Sequence, residues 1–256
     1  MSPSALPDTG RRTYRSATRE RRARETRERI LAAACSMFLR SGYAATTMRA
    51  VAREARVSVP TVELDFGTKP QLLRAAISFA IRGDAKPVPM LERGWALSAE
   101  RARTTADFLA IVRQVLVDAA ARSAGLVLAA FEAADVDQSM RPLAEQLRTQ
   151  RAETAAWIVD GVRQRSSLRA GISRKEAIDT VWLLMDPHGF RALTRDRGWS
   201  PEQFGQWFVD GVSRLLLDQT RASGGTDGPR SSPAPRLSQP ITHTEGDHEP
   251  ATAAAG

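Results

Sequence analysis

The segment Thr46–Phe66, TTMRAVAREARVSVPTVELDF, constrains the fold more than any other stretch of the chain. Its pattern predicts two short helices joined by a tight turn. In the first, about 47–55, Met48, Val51, Ala52 and Ala55 recur at i, i+3, i+4 and i+7, one face of a helix. Thr46 or Thr47 is placed to cap its free amides. Ser58 caps the second helix, and Pro60 falls in its first turn, where a missing amide costs little. Val57, Val62 and Phe66 then point to a small core, while Ser58, Val59, Thr61, Leu64 and Asp65 face outward. A short helix with small, uncharged residues at its exposed start is what a helix-turn-helix places in a DNA major groove. Two amphipathic helices of any helical domain have the same periodicity, so the flanks must decide.

Charge separates the two uses. Residues 1–82 carry 16 Lys+Arg against 7 Asp+Glu, whereas residues 83–256 carry 21 against 22. The whole positive excess therefore lies in the part that holds the helix pair, which suggests a phosphate-binding end and a neutral remainder. Nine arginines crowd Arg11–Arg29, offset only by Glu20, Glu25 and Glu28. They read as an arm that follows phosphates or enters a neighbouring minor groove, or as a solvated helical extension.

Around this motif the periodicity is helical throughout, giving an all-α expectation. A helix over about 26–41 carries Ile30, Ala33, Ala34, Met37 and Phe38. Gly42 ends it in a left-handed conformation, and Tyr43 packs over its end. Thr68 and Gln71 have capping-box spacing and open a helix over about 69–81, with Leu72, Leu73, Ala76, Ile77 and Ala80 inward. Lys69, at the free amides of that helix start, is well placed for a phosphate. Gly83, Pro87 and Pro89 mark a loop. Beyond it the pattern predicts helices over about 99–121, 125–134 and 140–164. Another starts at the Ser173/Glu176 capping box and is ended by Pro187; a short one spans 188–196; a last one runs from Ser200 to about 219. Residues 222–256, rich in Gly, Pro, Ser and Thr, have no periodic apolar face and are expected to be disordered, as are residues 1–10. No apolar run long enough for a membrane span, and no secretory signal, is expected.

The run TRERILAAACSMFLRSGYAATTMRAVAREARVSVPTVELDFGTKPQLLRAAI, about Thr26–Ile81, resembles the N-terminal domain of the TetR family of transcriptional regulators. The likeness rests on Phe38, Gly42-Tyr43, Thr46-Thr47, Val57-Ser58, Thr61, Phe66-Gly67, Lys69 and Leu72-Leu73. It implies a three-helix DNA-binding head, a connecting helix, and a helical body that dimerises and often binds a small molecule. The domains expected on this basis are a basic arm, disordered or partly helical, over 1–25, the head over 26–82 with its helix-turn-helix at about 47–66, the body over 83–220, and a disordered tail over 221–256. Two features depart from the family pattern. Arg56 stands where glycine is common, which brings strain if φ is positive there. Glu63-Leu64-Asp65 replaces a triplet that usually offers phosphate-binding Tyr or His. Its carboxylates either accept from a cytosine amino group or weaken DNA binding.

The functional expectation is a homodimeric, cytoplasmic regulator of transcription, a repressor on a palindromic DNA operator, responsive to a small-molecule effector of unknown identity. Thr47, Arg49 and Lys69 are expected to hold phosphates. Val59, Pro60, Thr61 and Leu64 are expected to meet base edges, and Ser58 and Glu63 complete the expected DNA-binding set. Phe131, Trp157, Trp182 and Met185 are candidates for lining an effector pocket. The dimer face is expected on the helices of 173–196 and 200–217. The alternative is a TetR-like binding module that has lost specific DNA recognition and acts on a ligand or protein. Catalysis, a metal or a cofactor is not expected. The three histidines and single Cys35 form no triad or ligand set. His188 reads as an interface or capping residue, and His243, Asp247, His248 and Glu249 as part of a solvated tail. Cys35, without a partner for an intrachain disulfide, is expected to be a small apolar residue of a core.

Overall fold

The computed structural model describes residues 9–85, 88 and 90–218, with side chains described from residue 19 onward. The tail with its two histidines therefore lies outside the described residues, as do residues 1–8. Among the described residues the structure is all-α, with one isolated bridge between Leu168 and Leu217.

Helix α1 spans Thr9–Ala45 with a break at Gly42, whose φ of 71° and ψ of 177° admit little but glycine. It begins well before the expected residue 26, and the backbone of the basic segment is helical from Thr9. From Arg19 to Glu25 all its side chains are exposed. Packing begins at Ile30, where Ile30, Leu31, Ala33, Ala34 and Phe38 turn into the core. Tyr43 stacks on Phe38, with ring centroids 6.2 Å apart.

Helices α2 (Met48–Glu54) and α3 (Val59–Phe66) form the expected pair. Thr47 caps α2 through Ala50, while Thr46 is fully buried and donates its hydroxyl to the Gly42 carbonyl at 2.7 Å. Helix α4 (Lys69–Arg82) opens with Thr68, whose amide donates to Gln71 Oε1 at 2.8 Å, and closes on the left-handed Gly83.

The sequence pattern missed α5 (Gly94–Arg101), which follows a short 3₁₀ turn at Met90–Glu92. It has only two buried residues, Ala96 and Ala99, too few for a readable stripe. The two helices expected over 99–134 are one helix, α6 (Thr105–Val136). Gly125 does not break it: a Cβ there would stand 2.6 Å from Leu39 Cδ2 of α1, so the glycine marks a close approach, not a turn. By length and composition α6 would also suffice to cross a membrane, contrary to expectation. Phe108, Leu109, Val112, Val117, Leu126 and Leu128 are all buried against neighbouring helices, which accounts for its apolarity.

Helix α7 (Arg141–Arg163) is followed by α8 (Arg174–Leu184), whose Ser173/Glu176 capping box is formed. Pro187 opens α9 (Pro187–Arg191) behind the cap Asp186 rather than closing α8, and a π-type turn, Ala192–Asp196, follows. Helix α10 (Pro201–Leu216) starts at the Ser200/Gln203 capping box.

The described residues pack as one unit. A single buried cluster joins Ile30–Ala80 of α1–α4 to Leu126–Leu147 of α6 and α7. A second gathers α6, α7, α8 and α10 around Phe108, Val159, Val181 and Phe208. Arg165 binds this region by donating to the carbonyls of Ala99, Glu100, Ala102 and Gly161, closing the C-terminus of α5.

Candidate nucleic-acid interface and body cavity

The turn between α2 and α3 fixes how α3 is presented. Arg56 has φ of 55°, the one non-glycine with positive φ among the described residues. The residue flagged as a departure thus adopts the conformation for which glycine is favoured. Ser58 Oγ accepts from the Thr61 amide and lies 2.7 Å from Thr61 Oγ1. Val62 and Phe66 anchor α3 in the core. Arg27 of α1 holds its far end, donating to the Asp65 carbonyl at 3.1 Å with its guanidinium 4.3 Å above the Phe66 ring. An arginine counted with the arm therefore has a structural task.

Ser58, Pro60, Glu63, Leu64 and Asp65 are exposed, Leu64 at 87%. Val59 and Thr61 are only partly so, since Val59 also packs against the head core. Thr47 and Arg49 are exposed at the start of α2. No ion pair to Glu63 or Asp65 is formed among the described residues, so the carboxylates stand open beside Leu64.

Lys69 is more engaged than its position suggests. Its ammonium lies 4.1 Å from the centroid of the Tyr43 ring and donates to the Ala44 carbonyl at 3.3 Å. Burial lowers its pKa and the nearby Asp137 opposes that shift. Asp137, at the end of α6, caps the turn to α7 through Ser139. Hydrogen bonds from Ser139, with help from Lys69 and Tyr43, hold its carboxyl below the ordinary range. Burial first, then the Asp137 charge, raises the Tyr43 phenol. Lys69, Tyr43 and Asp137 thus form a polar joint between the start of α4 and the end of α6. A second link lies at the other end of α4, where Arg122 of α6 donates to the Ala80 and Ile81 carbonyls.

Between α4 and the helices that follow it lies a partly open cavity of about 710 Å³. Of the four candidates, Phe131, Trp157 and Met185 line it. Trp182 does not: it stands one layer behind, its ring 3.8 Å from the guanidinium carbon of Arg151, which does line the cavity. The walls are chiefly apolar, with Val112, Leu116 and Phe204 among them, and Trp95 and Trp157 meet edge to face at 5.6 Å. Sequence reasoning missed Arg82, Trp95 and Arg151, which come from three separate helices. No local spacing marks residues that only the packing of α4, α5 and α7 brings to one space. His188 is exposed, its Nδ1 3.2 Å from Asp186 Oδ1 and its ring stacked on Phe131. Among the described residues no three His, Cys, Asp or Glu side chains gather as a metal site.

Comparison with known proteins followed this geometry. Residues 30–76 match the model of the bacterial regulatory proteins, tetR family. No curated protein matches the chain. Among solved structures, a transcriptional regulator from Saccharomonospora viridis in complex with choline is 18% identical, with a TM-score of 0.56 over 76% of this chain and 99% of that one. NalD, the secondary repressor of the MexAB-OprM multidrug efflux pump in Pseudomonas aeruginosa, is 18% identical with a TM-score of 0.55, covering 76% and 98%. The regulator FadR from Bacillus subtilis, in complex with stearoyl-CoA, is 16% identical with a TM-score of 0.56, covering 73% and 97%. At these identities the likeness is one of fold.

Proposed function

The chain has the fold of a TetR-family DNA-binding transcriptional regulator, with that family's N-terminal domain, and on that premise we propose that it is a ligand-responsive repressor. It acts in the cytoplasm as a homodimer on a palindromic operator. One observation carries the DNA-binding reading. Helix α3 is anchored by Val62 and Phe66 yet leaves Ser58, Pro60 and Leu64 open, in residues 1–82, which hold all the excess positive charge. Leu64 and Pro60 suit contact with thymine methyl groups, and Thr47, Arg49 and the N-terminus of α4 at Lys69 suit phosphates. The helical basic segment of α1 is about 10–12 Å wide with side chains and a minor groove only about 6 Å. It suits phosphate tracking along the duplex rather than entry into the groove.

Two copies of α3 would enter successive major grooves about 34–36 Å apart, or a multiple. For the dimer, α8 and α10 offer Leu183, Trp207 and Leu215 as exposed apolar residues. The cavity is the effector site of this reading. Choline and stearoyl-CoA in the two neighbours' structures support a small-molecule effector here without identifying it. An effector acts only if it binds the two separations of the heads unequally. The domain division follows the same reading: a basic arm to residue 25, a head to 82, a body to 220 and a tail beyond.

The test is a mobility shift with duplex from the region upstream of its own gene. The full chain should shift it specifically, and Thr61→Ala and Lys69→Ala should each weaken binding by roughly tenfold. Glu63 and Asp65 motivate the second reading, a module without specific DNA recognition. An unmodified protein that shifts no duplex even at low salt would establish that reading instead.

A further inference from the structure

Arg27 belongs to the basic run of α1, yet it does something its neighbours there do not. Its Nη1 donates to the Asp65 carbonyl at 3.1 Å, and its guanidinium lies 4.3 Å above the Phe66 ring. Arg22 and Arg24, in the same run, make no hydrogen bond or ion pair among the described residues. Arg27 thus reaches from α1 to the last turn of α3, 38 residues further along the chain. A guanidinium held by one face and one edge is not free to follow phosphates as an unattached arginine is.

The atom it holds matters. The last carbonyls of a helix lack intrahelical partners and carry partial negative charge, so a cation is favoured there. The Gly67 amide serves the Glu63 carbonyl at 2.8 Å, and Arg27 serves that of Asp65. Helix α3 has eight residues and only two buried side chains, Val62 and Phe66. Its start is fixed by the Ser58 cap and its far end by Phe66 under Arg27. Glu63 and Leu64 project from that far end and are exposed. Phosphate contacts carry no sequence information, whereas readout of base edges depends on where each side chain stands.

Resting on the reading of α3 as the recognition helix, we propose that Arg27 is a positioning residue for sequence discrimination. It fixes the far end of α3, and with it the placement of Glu63 and Leu64 against base edges, and it holds no phosphate itself. Arg27 is exposed, so the tie adds little to global stability. Its effect is on where one short helix stands.

Arg27→Gln in the full-length chain tests this, with and without DNA. Without DNA, the Gly67 amide should exchange its hydrogen roughly fivefold faster or more, while the Ala55 amide of α2 and the denaturation midpoint stay nearly unchanged. With DNA, mobility shifts over a range of salt compare the duplex from upstream of its own gene with a shuffled duplex of the same length. The variant should bind the upstream duplex roughly tenfold more weakly and the shuffled duplex as the unmodified chain does. The slope of log affinity against log salt should not change. Equal loss on both duplexes, with a slope shallower by about 0.9, makes Arg27 a phosphate contact and overturns the proposal. Unchanged selectivity, unchanged Gly67 exchange or a collapsed midpoint overturns it too. Those results, with the unmodified chain still preferring the upstream duplex, remove the proposal alone. An unmodified chain without that preference removes the recognition reading and this proposal together.

Discussion

Arg56 turns the chain from α2 to α3 with φ of 55°, a region that costs a side-chain-bearing residue about 1–2 kcal/mol. Glycine is relieved of that strain but loses more freedom on folding. Arg56→Gly should therefore raise stability modestly, by roughly 0.5–1 kcal/mol, measured as a higher denaturation midpoint with an unchanged slope. The resemblance made this position legible in the sequence, because it marked where glycine was to be expected. Cys35 was legible from its place on a predicted helix as a small apolar residue. It is partly buried, it donates to the Ala76 carbonyl at 3.5 Å, and burial pushes its thiol up to about 11 from 9.0. The folded chain then keeps this proton more tightly than the unfolded one. Stability from this group is complete below pH 9 and is lost as pH rises through about 11. At pH 8 iodoacetamide should alkylate Cys35 far more slowly in the native protein than in urea, since the thiolate is the reacting form. Arg165 was not legible. Its acceptors on α5 lie more than sixty residues away, and nothing near it in sequence announces them.

At the scale of elements, the starts of helices were the best-read features. Ser58, Thr68, Ser173 and Ser200 all sit at their expected starts, because a cap is satisfied within four residues. The break expected before Gly125 does not occur, whereas Gly161 lies within the helix expected over 140–164. Gly125 passes through α6, and Gly161 passes through α7 where a Cβ would lie 2.3 Å from Phe108 Cζ. Both record how closely one helix approaches another, a fact absent from local pattern. Gly161→Ala must move a buried ring at the α6–α7 crossing and should cost about 1–3 kcal/mol, read from chemical denaturation. Retention of wild-type stability would mean that the two helices do not meet at this distance. The Lys69, Tyr43 and Asp137 joint was likewise hidden, since its members come from α4, the end of α1 and the end of α6.

For the whole molecule, charge is the property that sorts function. If phosphates are held by the basic head, the logarithm of DNA affinity should fall linearly with the logarithm of salt, by about 0.9 per phosphate contacted. The body must supply the partner surface instead. Leu183 on α8 is 66% exposed and Leu215 on α10 44% exposed. In a twofold interface a substitution on one face recurs on the other. On the proposed dimeric reading, Leu183→Arg should therefore sediment as a monomer and bind the proposed operator more weakly, while helical content stays unchanged. A variant that remains dimeric would move the interface off this end of α8.

The sequence by itself determined the helical class, the helix-turn-helix with its caps, and the basic end. Each of these depends on neighbours within a few residues or on counting charge, and such information survives in a string. Tertiary structure alone decided that α6 is continuous, that Lys69 leans on Tyr43, that Trp182 stands behind Arg151, and that Arg82, Trp95 and Arg151 line one cavity. Those are relations between helices far apart in the chain. Only the burial of apolar faces against one another sets their distances.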